Sequence, residues 1–232
     1  MAGTFTLSDI RGKIETDLDL LEETFISSSE LNAYINEAIR EAESEVHGLC
    51  EDYFLASTPL SVTAGTDSYD LPSDIYADKI RAIIYTNGTD IYRVKKLIHR
   101  SYQFEEIALI NTYSPSLRYQ FILTNNLSAG RKIKFFPNIR DTSSTNFLIY
   151  YIRDAQTLEN DDDVLDIPEA YNFILAYAKA KCLAKENAGQ VPGGIANELE
   201  HQREMLLNSL RDRVPDYDNE IEKDFSAYEE AT

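Results

Sequence analysis

The chain has 232 residues, 43% of them apolar and 27% charged, with a net charge of −18 at neutral pH. A chain of this size buries about 70% or more of its unfolded surface and needs no disulfide or metal staple. No apolar run reaches the roughly 18 residues of a membrane span, and the opening MAGTFTLSDIRGKIE has neither the basic nor the apolar region of a secretory leader. Charge is unevenly spread: residues 1–57 carry −10, residues 58–152 carry +3 and residues 153–232 carry −11.

Thr6, with Asp9 three residues on, caps a first helix on which Leu7, Ile10, Ile14, Leu18 and Leu21 keep helical spacing. An acidic, Ser-rich link over 22–28 leads to the longest helical pattern, residues 29–54. Ser27 with Glu30 fits a capping box there, and Leu31, Tyr34, Ile35, Ala38, Ile39, Ala42, Val46, Leu49, Cys50, Tyr53 and Phe54 mark a wide apolar face. So broad a stripe needs other helices to cover it.

The pattern then changes. Thr58-Pro59 blocks helix continuation, and alternating residues on either side of the turn 64–67 give a first pair of strands. Residues 79–86 and 90–94, around the type I′ hairpin signal Asn87-Gly88, give a second. A short helix is expected within 97–110, capped by Ser101 and using Phe104, Ile107 and Ala108. Strands follow at 118–124, 132–136 and 145–153, with Phe147, Ile149 and Tyr151 on one side of the last.

Helical pattern resumes at Pro168, a residue suited to a first helical position, with Glu169 placed for the dipole. From 170 to 188 apolar residues lie almost all round, as in a helix at the middle of a bundle. Gly189 is the expected stop. Ile195, Leu199, Leu206 and Leu210 mark a final helix to about Arg213, and Pro215 ends it. The fold class is α+β: an antiparallel helical bundle from residues 1–57 and 153–213, an inserted antiparallel β-rich domain at 58–152, and an acidic tail at 214–232.

Chemistry-bearing motifs are scarce. The sequence has no GxGxxG, no phosphate-binding lysine loop and no HExxH. His47, His99 and His201 lie apart, without ligand-like neighbours at helical spacing, and read as surface or satisfied core histidines. Cys50 and Cys182 fall in helical patterns and read as free thiols of a reducing compartment. Asp161, Asp162, Asp163 and Asp166 lack the sixth-position Gly and twelfth-position Glu of a calcium loop, so they read as a solvated loop capping the next helix. No catalytic residue, metal ligand or cofactor is expected.

Two stretches suggest contact with partners. Arg93, Lys95, Lys96, His99 and Arg100, with Tyr92 and Tyr102, have the cation and aromatic mixture of a nucleic-acid surface, or are plain solvent-facing strand residues, or contacts to an acidic partner. The acidic tail is either a free terminus or a segment that folds on a partner, with Tyr217, Ile221, Phe225 and Tyr228 as anchors.

The order LNAYINEAIREAESEV, then TAGTDSYDLPSDIY, then a β insertion, then LDIPEAYNFILAYAKAKCLA resembles the head-to-tail connector (adaptor) proteins of tailed bacteriophages, over about residues 29–190. The layout is similar to the tail-tubular adaptors of short-tailed phages. The resemblance implies a structural virion protein of the neck, assembled in the host cytoplasm. It implies a homo-oligomeric ring, usually of twelve copies, between a portal protein and a downstream tail protein. Double-stranded DNA would pass through its centre, with no membrane involved. An acidic wall suits that passage, because it repels a moving duplex. The alternatives are a nucleic-acid-binding module using the mildly basic insertion, or another virion ring such as a stopper.

Overall fold

A computed structural model of the chain describes residues 4–19, 26–66, 68–97, 118–126 and 130–212. The fold is mixed α+β, with four α-helices and two four-stranded sheets among the described residues. Backbone contacts divide the chain into two compact units, Met1–Glu51 with Ala155–Thr232, and Asp52–Asp154.

In the first unit, α1 (Leu7–Asp17) and α2 (Ser28–Leu49) precede α3 (Tyr171–Glu186) and α4 (Gly193–Arg211), and a 3-10 turn, Pro168–Ala170, leads into α3. Both capping boxes form. Thr6 Oγ1 accepts from Asp9 N and Asp9 accepts from Thr6 N; Ser27 and Glu30 do the same for α2. Leu7, Ile10 and Ile14 of α1 are completely buried, each contributing about 1.5–3 kcal/mol of apolar burial. On α2 the buried set is Leu31, Ile35, Ala38, Ile39, Ala42, Val46 and His47. The helix ends at Leu49, short of the expected Phe54, and Cys50 caps it.

α3 buries Phe173, Ile174, Leu175, Ala176, Ala178, Ala180 and Cys182, residues from nearly every side of the helix. Cross-links fix its direction. Lys179 meets Asp17 of α1 at 2.5 Å, Tyr177 and Lys181 meet Glu37 of α2 at 2.9 and 2.7 Å, and Lys185 meets Glu30 at 2.7 Å. Rising numbers on α3 meet falling numbers on α2, so the two run antiparallel. α4 runs with α2: Arg203 pairs with Glu45, and the Cys50 thiol donates to Leu210 O at 3.4 Å.

The acidic loop caps α1, not the helix that follows it. The main-chain carbonyls of Asp163 and Asp161 accept from Leu7 N and Ser8 N, two donors the first turn cannot satisfy internally. Phe5 O accepts from Leu165 N, Phe5 stacks on Tyr171 at 3.8 Å, and Arg11 pairs with Asp161 at 2.8 Å. The Asp163 carboxylate closes the loop on itself by accepting from Glu159 N and Asn160 N.

The second unit holds β1 (Leu55–Val62), β2 (Ser68–Asp70), β3 (Ile75–Thr86), β4 (Ile91–Arg93), β5 (Lys95–Lys96), β6 (Gln120–Asn126), β7 (Gly130–Phe136) and β8 (Ser143–Arg153). The sheet orders are β1-β8-β3-β4 and β2-β7-β6-β5. All pairs are antiparallel except the two-residue pairing of β5 with β6, which departs from the all-antiparallel expectation. The strands flanking the turn 64–67 do not pair with each other: β1 joins β8 and β2 joins β7, so the turn carries the chain from one sheet to the other. One core serves both sheets. Phe147, Ile149 and Tyr151 of β8 join Ile83 and Tyr85 of β3 and Ile133 and Phe135 of β7, with the Phe135 and Phe147 rings 4.9 Å apart.

One turn expectation is corrected. The β3–β4 loop is not a type I′ turn at Asn87-Gly88, which needs positive φ at both residues. Only Gly88 is left-handed, at φ 87°, and its central partner is Thr89; Asn87 instead turns its Oδ1 to Thr89 N and Asp90 N at 3.0 and 2.7 Å. At the end of α3 both Ala188, φ 52°, and the expected stop Gly189, φ 93°, are left-handed, and Gly189 N reaches back to Ala184 O at 2.7 Å. This is a Schellman closure with a Cβ where glycine is preferred. Residues 97–110, where a short helix was expected, lie outside the described residues apart from Leu97. Ala188→Gly should stabilise the chain by about 1 kcal/mol, read as a higher urea midpoint at unchanged slope.

Candidate docking surfaces

The basic stretch sits on the outer strand of the first sheet and its continuation. Arg93 is on β4 and donates from Nη2 to Arg81 O at 2.7 Å. Lys95 and Lys96 form β5, both exposed. Arg118, just before β6, lies over the Tyr92 ring at 5.2 Å from its centroid. The chain thus places Arg93 at the edge of one sheet and Lys95 and Lys96 at the edge of the other, and Arg118, which the sequence reading did not single out, stands over Tyr92. Arg100 and the tail residues Tyr217, Ile221, Phe225 and Tyr228 lie outside the described residues.

A second surface is α4. Its first thirteen residues, from Gly193 to Met205, include no buried residue; Leu206 and Leu210, near its end, carry the burial. Ile195 and Leu199 are half-covered, and Met205 is 54% exposed. Glu198, Glu200 and Glu204 share this length of helix and are exposed. The sequence marks Ile195 and Leu199 as a helical face, but spacing does not say whether the same chain covers it.

Elsewhere the charged groups are structural. Glu37 accepts from Lys181 and Tyr177, and Lys181 holds its carboxyl below the usual range. Burial, and then the bond to Glu37, pushes the Tyr177 hydroxyl up. Glu30 is drawn down to about 2, first by Lys185 and then by Ser27. Burial pushes the Cys182 thiol up to about 11, which keeps it protonated and unreactive. In the sheet unit Tyr151 is raised to about 12 by burial and by its bond to Asp74. His47 is buried with Nε2 3.5 Å from Glu43, a neighbour four residues back that the sequence reading overlooked. No group of three His, Cys, Asp or Glu side chains suited to a metal converges among the described residues, and no helix there is long and apolar enough to cross a membrane.

The described surface offers a half-covered helix and exposed cations near a sheet edge, on a strongly acidic chain. A family model described as SU10 adaptor protein matches residues 5–222. The chain therefore belongs to the SU10 adaptor protein family and is a bacteriophage head-to-tail adaptor, a structural component of the virion neck. The family implies interaction with portal and tail proteins. No curated protein matches the chain.

Three carboxylates that tie the helices, Asp17, Glu30 and Glu37, are all held below their ordinary values. A carboxyl with a lowered folded-state pKa adds stability that is present above its unfolded value and lost as pH falls toward the folded one. Solvent screening makes each share small at these partly exposed positions. Thermal midpoints should fall steadily from about pH 5 toward pH 2, and Glu30→Gln should flatten part of that slope.

Proposed function

We propose that the helical unit is an antiparallel bundle interrupted by the β insertion, and that the protein assembles as a ring joining the portal to the next tail component. Twelve copies is the number that the resemblance to connector proteins implies. The reading rests on family membership, and α4 is the physical observation that carries it. A helix of nineteen residues draws its stability mainly from the face it buries, and most of α4 has no such cover. A neighbouring copy or the portal supplies it. The tail, residues 214–232, reaches onto a neighbour or the portal, with Tyr217, Ile221, Phe225 and Tyr228 as anchors. The bore is lined mainly by Asp and Glu, so that a passing duplex meets repulsion and not a binding site.

The mass of the purified chain, measured alone and with portal, tests this reading. A closed oligomer matching the portal's copy number supports it; a monomer in both cases removes it. Deleting residues 214–232 should abolish portal docking, and unchanged docking would exclude the tail from that contact.

Leu199→Ser combined with Met205→Ser tests α4 separately. Such half-covered positions should change monomer stability by less than about 1 kcal/mol. Light scattering should nonetheless show a clear loss of the assembled form.

A further inference from the structure

β4 is the outer strand of its sheet. Val94 N reaches Ile83 O at 2.8 Å, and Tyr92 faces Tyr85 in register. Main-chain groups alternate in direction along an antiparallel strand, so those of Ile91 and Arg93 point away from β3, where no described strand meets them. Ile91 is 76% exposed. Arg93 is on this strand, Lys95 and Lys96 follow it on β5, which pairs with β6 of the other sheet, and Arg118 lies over the Tyr92 ring; none of the four forms an ion pair with a described carboxylate. Yet the chain has 40 acidic residues against 22 basic ones, and Arg11, Arg81, Lys132, Lys179, Lys181 and Arg203 each have an acid partner. Cations on a sheet edge repel an unselected strand. They do not repel an acidic one.

This chain carries such a segment. Asp216, Asp218, Glu220, Glu222 and Asp224 fill every second position of residues 216–225, and Tyr217, Asn219, Ile221, Lys223 and Phe225 stand between them. A period of two places all five acids on one face of a strand, whereas a helix would scatter them around its circumference. A row of like charges is unfavourable by itself and becomes favourable against cations.

We propose that residues 216–225 of one copy add as a strand to the outer edge of β4 in a neighbouring copy. The acids face the side that carries Arg93. Tyr217, Ile221 and Phe225 continue the aromatic layer of Tyr92 and Tyr85, whose rings lie 5.1 Å apart. Tail and edge are different surfaces, so the contact is head-to-tail, the kind that closes rings. This inference rests on the self-assembly proposed above and names what joins the copies.

Disulfide trapping in mixed full-length chains tests it. Both partners carry Cys50→Ser and Cys182→Ala. One also carries Ile91→Cys, and the other a single cysteine at each position from 218 to 223 in turn. Mixed adducts should form at 218, 220 and 222 at least about fivefold more than at 219, 221 and 223, because alternate residues of a strand face opposite sides. Reversing Arg93, Lys95 and Lys96 to Glu should lower the yield at 220 about tenfold, and Asp218→Lys with Glu222→Lys should restore it. Adducts without alternation overturn the inference. So does their absence while sedimentation shows associated copies, and in that case the assembly stands. Tail cysteines that link to the portal and never to position 91 overturn it in favour of portal docking. Chains that stay monomeric with and without portal overturn both readings.

Discussion

α3 is apolar on almost every side, and enclosing it is the constraint on which the helical unit depends. Phe173, Ile174, Leu175, Ala176, Ala178, Ala180 and Cys182 cannot all face one neighbour. Their cover comes from α1 and α2, which precede the sheet unit in sequence, and from α4, which follows α3. The alanines let the helices approach closely, and the charged ladder around them fixes direction. Asp17, Glu37 and Glu30 receive Lys179, Lys181 and Lys185 of α3 respectively. Individually such pairs are weak. Together they select one alignment of an apolar helix that could otherwise slide. A second set of bonds holds the returning chain in place: Glu43 accepts from Ala155 N, and the Asn36 amide both donates to and accepts from the main chain of Leu158. Both residues sit on α2, so the same helix that covers α3 also seats the segment leading to it.

Much of this was legible in the sequence because it follows from local rules. The capping boxes at Thr6 and Ser27 are set by residues three positions apart, and the all-round apolar character of 170–188 needs no knowledge of partners. The alternation of Phe147, Ile149 and Tyr151 likewise identified the face of β8 that fills the core. Long-range pairing was not legible. Nothing near residues 64–67 says that the turn passes between sheets, because strand partners are chosen by core packing across nearly ninety residues of chain in the case of β1 with β8. The acidic loop was misassigned for a similar reason. Its carboxylates suggested a role toward the next helix, whereas its carbonyls cap a helix some 150 residues earlier, and any residue has a carbonyl. At the end of α3 the expected Gly189 is left-handed, and Ala188 before it is left-handed as well, which no local signal announced.

The surfaces were legible in part. Arg93, Lys95 and Lys96 stood out as neighbours in sequence, while Arg118 comes beside Tyr92 only through the fold. The uncovered length of α4 was hidden, since Ile195 and Leu199 look the same whether a helix or a second protein covers them. Electrostatics gives these surfaces a common logic. The helical segments are strongly acidic and the middle of the chain is mildly basic, so copies of one chain offer each other surfaces of opposite sign.

The central claim is that the first two helices and α3 form one cooperative unit across the intervening sheet residues. Native-state hydrogen exchange on the full chain tests it most directly. Ala178→Gly, a buried change on α3 alone, should accelerate exchange in α1 and α2 by the same factor as in α3 itself. Unchanged protection in α1 and α2, with loss confined to α3, would show that the early and late helices fold separately and would contradict the account.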